Sequence, residues 1–437
     1  MIFSRDRRPA GNSGTAPGRW QNDSGERRAL PRFAVSATEE LTDTADPRAP
    51  FSADKARLAL SEALSASQPV VSAERFAGRH DTLAALITAI EQQRAHVVLY
   101  GERGIGKTSL IHVFAAVAQE ARYLVLYGSC GVAARFDEMF LAFAGRIPLL
   151  YHADISPTAD ESEHRRSFAD LLDKNHVGPR ELADVLTQVV GTRVVLVLDE
   201  YDRVADAEFR RNVAELIKNL SDRAARVQLI LTGVASNLDE LIGFTPSIRR
   251  NIVGLAVGPM PASELDEILV QAEQASGMTF GGPARALVTR MAAGSPYLTR
   301  LLGQKAAARA LDEGRTDVTP DDVTGGTEAV LAEWNAGLPR RVQAMLALPA
   351  VQKDWGLLIA AARASGTPDG WFTATDVAAE LADGSPSGAG KALTGFSGET
   401  DLFDRDQSAT GEPRFRFRTQ GLAQLLGLSA ALARAGR

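Results

Sequence analysis

The residues Gly101-Glu102-Arg103-Gly104-Ile105-Gly106-Lys107-Thr108-Ser109-Leu110 fit G-x-x-x-x-G-K-[ST] in full, directly behind the apolar run Val97-Val98-Leu99-Tyr100. That spacing is suited to holding phosphate. Gly101, Gly104 and Gly106 allow the backbone to curl and approach an anion, so that amide N–H groups and the N-terminus of the following helix face it. Glu102, Arg103 and Ile105 complete the loop. Lys107 supplies a mobile positive charge for the β- and γ-phosphates, and Thr108 a hydroxyl ligand for Mg2+. Ser109 either adds a hydroxyl near the phosphates or caps the helix and faces solvent. The competing reading is an ordinary strand-to-helix turn, against which the pattern and both flanks agree.

A second set of chemical groups stands about ninety residues on. Arg193-Val194-Val195-Leu196-Val197-Leu198 is a nearly all-apolar run that ends at Asp199-Glu200, as expected of a central parallel strand buried on both faces. Acids at its C-terminal end would share a crevice with the phosphate loop. Asp199 is the candidate that holds the hydration shell of magnesium, and Glu200 the candidate base that orients or deprotonates an attacking water. Without the loop upstream, such a pair reads as a turn or a helix cap. Thr232, closing the expected strand Val227 to Leu231, can sense the γ-phosphate or place water; it can equally be a strand-end cap. Asn237 reads as a turn residue or a weaker candidate for the same role. Of Arg249 and Arg250, one could reach the γ-phosphate of a neighbouring subunit and neutralise developing charge, or both form a solvent-facing basic pair.

These groups need a sheet to position them. Leu83, Leu86, Ile87 and Ile90 predict a helix ahead of the strand Val97–Tyr100; Leu110, Val113, Phe114 and Val117 predict one over about 107–119. Tyr123 to Tyr127, Val227 to Leu231 and Ile252 to Val257 read as further strands, and this alternation predicts a βα architecture. Residues 136–190 read as predominantly helical, interrupted by an acidic loop, Ser156 to Glu163, that reads as a solvated linker or a partner surface. A chain of 437 residues exceeds what one core usually supports, so two or three domains are expected. Residues 1–52, rich in Arg, Asp, Pro, Gly, Ser and Thr, predict a disordered tail; 53–69 a helical lead-in and linker.

Composition excludes several classes. A formal net charge of -6 makes no electrostatic case for a generally nucleic-acid-binding chain. The lone Cys130 rules out an intrachain disulfide, and the six histidines occur singly without a zinc-binding interval. No uninterrupted stretch approaches eighteen apolar residues and no secretory segment is evident, which predicts a cytoplasmic protein without a membrane partner.

In this arrangement the chain resembles the AAA+ and signal-transducing P-loop ATPases, particularly bacterial and archaeal members related to origin-recognition ATPases, over roughly residues 72–310. The resemblance implies that Phe76-Ala77-Gly78-Arg79 is the box bordering adenine, Gly101 to Thr108 Walker A and Asp199-Glu200 Walker B. Thr232 resembles a sensor-1 position, where many relatives place Asn, and Arg249 or Arg250 resembles a trans arginine finger. Residues 262–310 resemble the small helical lid, with its turn at Gly294-Ser295-Pro296-Tyr297-Leu298. No sensor-2 arginine is evident at that turn; Arg300, one helical turn beyond Pro296, is the candidate for phosphate.

The C-terminal third changes pattern. Helices over Trp334–Ala347 and Trp355–Ala364, Thr373 as a cap, a candidate recognition helix Gly388–Phe396, Asp401 to Phe403, the alternating strand Arg414–Arg418 and a closing helix Leu422–Leu428 resemble a winged-helix domain. The expected fold is therefore α/β: a P-loop NTPase parallel-sheet core over 70–260, a helical lid over 261–325 and a winged-helix domain over 326–437. The implied function is an ATP-binding and ATP-hydrolysing molecular switch, with ATP and Mg2+ as ligands and self-association through a trans arginine. Two alternatives stand beside it. One is a DNA-binding or DNA-loading ATPase that uses Arg414, Arg416 and Arg418; the other is a weakly hydrolytic signalling or defence scaffold whose C-terminal domain binds protein.

Overall fold

The computed structural model describes residues 53–154, 166–173, 177–235, 238–242, 246–366, 370–381, 384–398, 402–408, 411–419 and 421–435. The tail over 1–52, the acidic loop from Ser156 to Glu163 and Asn237 lie outside the described residues.

Five parallel strands form the central sheet: β1 His96–Gly101, β2 Leu124–Ser129, β3 Val194–Asp199, β4 Val227–Val234 and β5 Ile252–Ala256, in the order β2-β3-β4-β1-β5. Because side chains alternate along a strand, each contributes to two cores. Val98, Leu126, Leu196, Leu198, Leu229 and Leu231 face the helices Phe136–Ala144, Pro179–Leu186 and Ala207–Asp222. Val97, Leu99, Val125, Val195, Val197 and Ile230 face the helices His80–Glu91 and Lys107–Glu120. All six residues of β3 are buried, which explains its unbroken apolar run. Within 136–190 the described helices are Phe136–Ala144 and Pro179–Leu186, with short 3-10 turns at Leu149–Tyr151 and Phe168–Leu171 and isolated bridges Pro148↔Ser167 and His152↔Val189. Strand β4 runs past Leu231 to Val234, so Thr232 lies inside a strand and does not close one.

His96 opens β1 at 3% exposure. Its Nδ1 accepts from the Leu229 amide at 2.9 Å, and its Nε2 lies 3.1 Å from Ser221 Oγ, whose hydroxyl donates to the Ile217 carbonyl at 2.8 Å. Burial pushes its pKa down from 6.5 to about 4. The folded chain therefore binds fewer protons than the unfolded chain between these values. The stability present above pH 6.5 is lost as pH falls toward 4, by roughly 3 kcal/mol. Urea unfolding at pH 7.5 and pH 4.5 should show that loss, and a His96→Gln protein should show less of it.

The helices Ala262–Ser276, Gly282–Ala292, Pro296–Asp312 and Pro320–Gly337 form the lid, with a short parallel pair, β6 Thr279–Phe280 and β7 Asp317–Val318. Helix Ala53–Ala63 belongs to this layer: Ala56, Leu60 and Leu64 are buried with Leu265, Ile268 and Leu269. The expected lead-in is thus part of the lid core. Helix Pro320–Gly337 crosses the boundary expected at 325 and 326, and a break at Leu338-Pro339 separates it from helix Arg340–Leu346.

The C-terminal sheet is antiparallel, β8 Phe372–Thr373, β9 Phe403–Gln407 and β10 Pro413–Phe417, in the order β8-β10-β9, and is consistent with a winged-helix subdomain. Thr373 caps helix Ala374–Ala379 through a reciprocal box with Asp376. The closing helix Leu422–Ala435 packs in two cores at once: Leu422, Leu425 and Leu426 within the C-terminal domain, Leu428 against the lid. Trp334 likewise packs against both. Lid and C-terminal domain therefore share buried side chains.

Candidate functional site

The phosphate loop joins β1 to helix Lys107–Glu120. Gly101, Gly104 and Gly106 all have positive φ, 153°, 75° and 98°, a region that excludes most side chains. At Gly101 a Cβ would also stand 2.3 Å from the Val257 carbonyl oxygen. Lys107 is 8% exposed, and its ammonium donates to the carbonyls of Gly101 and Glu102 at 2.8 and 2.7 Å. Burial lowers its pKa to about 8 against the pull of Asp202, Asp199 and Glu102. A cation held against carbonyls, with its hydration removed, is ready to exchange those partners for an anion.

Strand order brings the second motif alongside. With β4 between β1 and β3, the registers Leu198↔Leu231 and Leu99↔Thr232 put Thr232 beside Asp199 at the C-terminal ends of the strands. Thr108 Oγ1 and the Tyr127 hydroxyl donate to Asp199 Oδ2 at 3.0 and 2.6 Å; the Glu200 amide, at 2.9 Å, and the Thr232 hydroxyl donate to Oδ1. Burial raises the pKa of Asp199, but these hydrogen bonds to the charged form outweigh it and leave a net lowering. Thr232 is fully buried, and Asp199 is the acidic group that its hydroxyl reaches. Glu200 has φ 54°, which turns it out of the strand line. Its Oε2 accepts from Ser129 Oγ at 3.2 Å and from Arg203 Nη1 at 2.7 Å.

A cleft of about 600 Å3 collects Arg103, Gly104, Gly106, Lys107, Thr108 and Ser109 with Asp199, Glu200, Pro296 and Arg300. Its far wall is the segment Ser65–Val70, tied to the loop helix by the Val70 amide donating to Ser109 Oγ at 3.1 Å. The other expected residues lie elsewhere. Ile105 and Phe76 are buried in the core beneath the loop. Gly78 and Arg79 join core to lid: their amides donate to Glu267 and Glu264 at 3.0 and 3.1 Å, and the Arg79 guanidinium donates to the carbonyls of Ile105 and Gly258. The Glu102 side chain faces a second cleft shared with the C-terminal domain. Arg300 is 8% exposed and its guanidinium donates to the Ala63 carbonyl, so it fastens helix Ala53–Ala63 to the lid at the edge of the cleft. Burial lowers its pKa to about 10. Arg249 and Arg250 are exposed beside β5's first residue, which pairs with His96. They stand at the opposite end of the sheet from their own phosphate loop.

Tyr127, Ser129, Asp202 and Arg203 were not evident from pattern. Tyr127 and Ser129 come from the C-terminal end of β2, and Asp202, which accepts from the Val234 amide at 3.0 Å, from the turn after Glu200. Their position at strand ends of a parallel sheet is the signal that could have found them.

Residues 75–231 match the family model described as the AAA ATPase domain. No curated protein matches the chain. Among solved structures, Cdc6p from Pyrobaculum aerophilum is similar over 86% of this chain and 99% of its own length, at 16% identity and a TM-score of 0.43. A Walker-type ATPase of Pyrococcus abyssi is similar over 83% and 99%, at 16% identity and a TM-score of 0.49. The RuvB Holliday junction branch migration motor of Thermotoga maritima is similar over 80% and 95%, at 17% identity and a TM-score of 0.42.

Proposed function

We propose that this protein, whose residues 75–231 match the AAA ATPase domain model, binds ATP in the cleft between core and lid, hydrolyses it, and uses the nucleotide state to move its C-terminal domain. The observation that carries the reading is the convergence of Lys107, Thr108, Asp199 and Glu200 on one cleft. The Thr108 hydroxyl and the Asp199 carboxylate, 3.0 Å apart, are hard oxygen donors of the kind Mg2+ takes, and they would hold it directly or through water. When bound, the ion neutralises charge on the β- and γ-phosphates. Lys107 binds the same phosphates, Glu200 orients water and accepts its proton, and loop amides hold the β-phosphate. The shared packing of Trp334 and Leu428 supports transmission from lid to C-terminal domain. Arg249 and Arg250, exposed and remote from their own loop, would serve a neighbouring copy in a self-associated form.

Duplex DNA is the less favoured target. Arg414 pairs with Asp406 at 2.7 Å, and Arg416 and Arg418 pair with Asp404 at 3.3 and 2.9 Å, while Arg414 and Arg416 both lie 4.7 Å from the Trp371 ring centre. Helix Pro386–Gly398 adds one cation, Lys391. A protein partner suits this neutralised surface better. An Asp404→Asn, Asp406→Asn double variant should bind duplex DNA about tenfold more tightly than the native chain, with a steeper salt dependence, as read by fluorescence anisotropy across a salt series.

No helix among the described residues is long and apolar enough to cross a membrane. Purified protein, assayed for Mg2+-dependent ATP turnover and oligomer mass with and without duplex DNA, tests the whole reading. Protein that binds no nucleotide overturns it.

A further inference from the structure

The turn after β3 carries a cation that the mechanism above leaves unused. Arg203 ends the short 3-10 turn Tyr201–Arg203 and lines the cleft together with Lys107, Thr108 and Gly233. Its Nη1 donates to Glu200 Oε2 at 2.7 Å, the oxygen that also accepts from Ser129. The carboxylate that is to orient water is thus paired with a guanidinium of its own turn.

That pair is open to competition. The side chains of Arg203 and Glu200 keep 52% and 46% of their exposure, and an exposed ion pair adds little net stability because water competes for both partners. A terminal phosphate is the stronger partner for a planar guanidinium, which can meet two of its oxygens at once. Distance also favours the exchange. A base must reach its water by a hydrogen bond, and that water must stand about 3–3.5 Å from the phosphorus it attacks. An arginine 2.7 Å from the base is therefore a few side-chain torsions from the γ-phosphate.

We propose that Arg203 exchanges Glu200 for the γ-phosphate of bound ATP, so that one residue of the same chain detects the third phosphate and releases the base. The two other arginines of the cleft are less suited to this role. Arg300 is buried on the Ala63 carbonyl, and Arg103 belongs to the loop itself and also lines the second cleft beside the C-terminal domain. Arg249 and Arg250 would need a neighbouring copy, whereas Arg203 needs none. ADP offers no γ-oxygens and leaves the Arg203–Glu200 pair closed.

The inference rests on the nucleotide reading, and one experiment separates the two. Equilibrium binding of ADP and of the slowly hydrolysed analogue ATPγS is measured for the full native chain, Arg203→Ala and Arg203→Lys. Arg203→Ala should lose about 10- to 100-fold in affinity for ATPγS while its ADP affinity changes less than about twofold, which also shows that the site is folded. Arg203→Lys, which keeps the charge without the fork, should fall between it and the native chain. Equal losses for both nucleotides, or no loss for either, would overturn the proposal. A native chain that binds neither nucleotide overturns the nucleotide reading instead, and this inference with it.

Discussion

Glu200→Gln is expected to bind ATP as well as the native chain and to hydrolyse it about 100- to 1,000-fold more slowly. The substitution keeps the size of the side chain and an amide oxygen that can still accept from Ser129, but the amide cannot take a proton from water. The Glu200 side chain is half exposed and takes no part in the hydrophobic cores, so stability should change little; its partners are the surface groups Ser129 and Arg203. Single-turnover measurements with saturating protein isolate the chemical step from product release. Retained ATP binding with lost turnover assigns Glu200 to the reaction. Native-like turnover would remove it from that role and leave the ion pair with Arg203 as a structural contact of the turn.

Lys107→Ala should lower nucleotide affinity by at least about 100-fold, since it removes a buried cation that would make charge-assisted hydrogen bonds to two phosphates. The same substitution should leave the melting temperature no lower than that of the native chain. Burial depresses the Lys107 pKa to about 8, so its charge is held in the fold at a cost, and the carbonyls of Gly101 and Glu102 are its only partners by hydrogen bond among the described residues. Isothermal titration with ATP and a thermal melt on the same preparation check both halves. A protein that melts lower and binds less would report a lost fold, whereas one that melts as before and binds less reports a lost ligand contact.

Much of the candidate phosphate site is local in sequence, and that is why it can be read there. Positive φ at Gly101, Gly104 and Gly106 is a property of three residues and their neighbours, and the apolar run of β3 announces burial on both faces wherever the strand ends up in the sheet. Thr373 and Asp376 form their cap within four residues. The contacts that depend on strand order are different. Thr232 meets Asp199 because β4 lies beside β3 in one register, and Tyr127 and Ser129 reach Asp199 and Glu200 because β2 flanks β3 on its other side. Arg300 meets the Ala63 carbonyl across 237 residues of chain, and nothing in its own neighbourhood distinguishes that partner from a phosphate.

The wing illustrates the same division. Arg414, Arg416 and Arg418 alternate along a strand, so the sequence by itself determined a basic face. Whether that face carries free charge depended on the antiparallel register, which sets Arg414 opposite Asp406 and Arg416 opposite Asp404. For this protein the sequence alone determined the phosphate loop, the acidic strand end and the order of the elements, because these follow from backbone preference and apolar periodicity over short spans. Only the tertiary structure decided which arginine sits on Glu200, which hydroxyls hold Asp199 and which charges are already neutralised. Such contacts are set by strand order, register and the packing of lid on core, and they join residues that the chain keeps far apart.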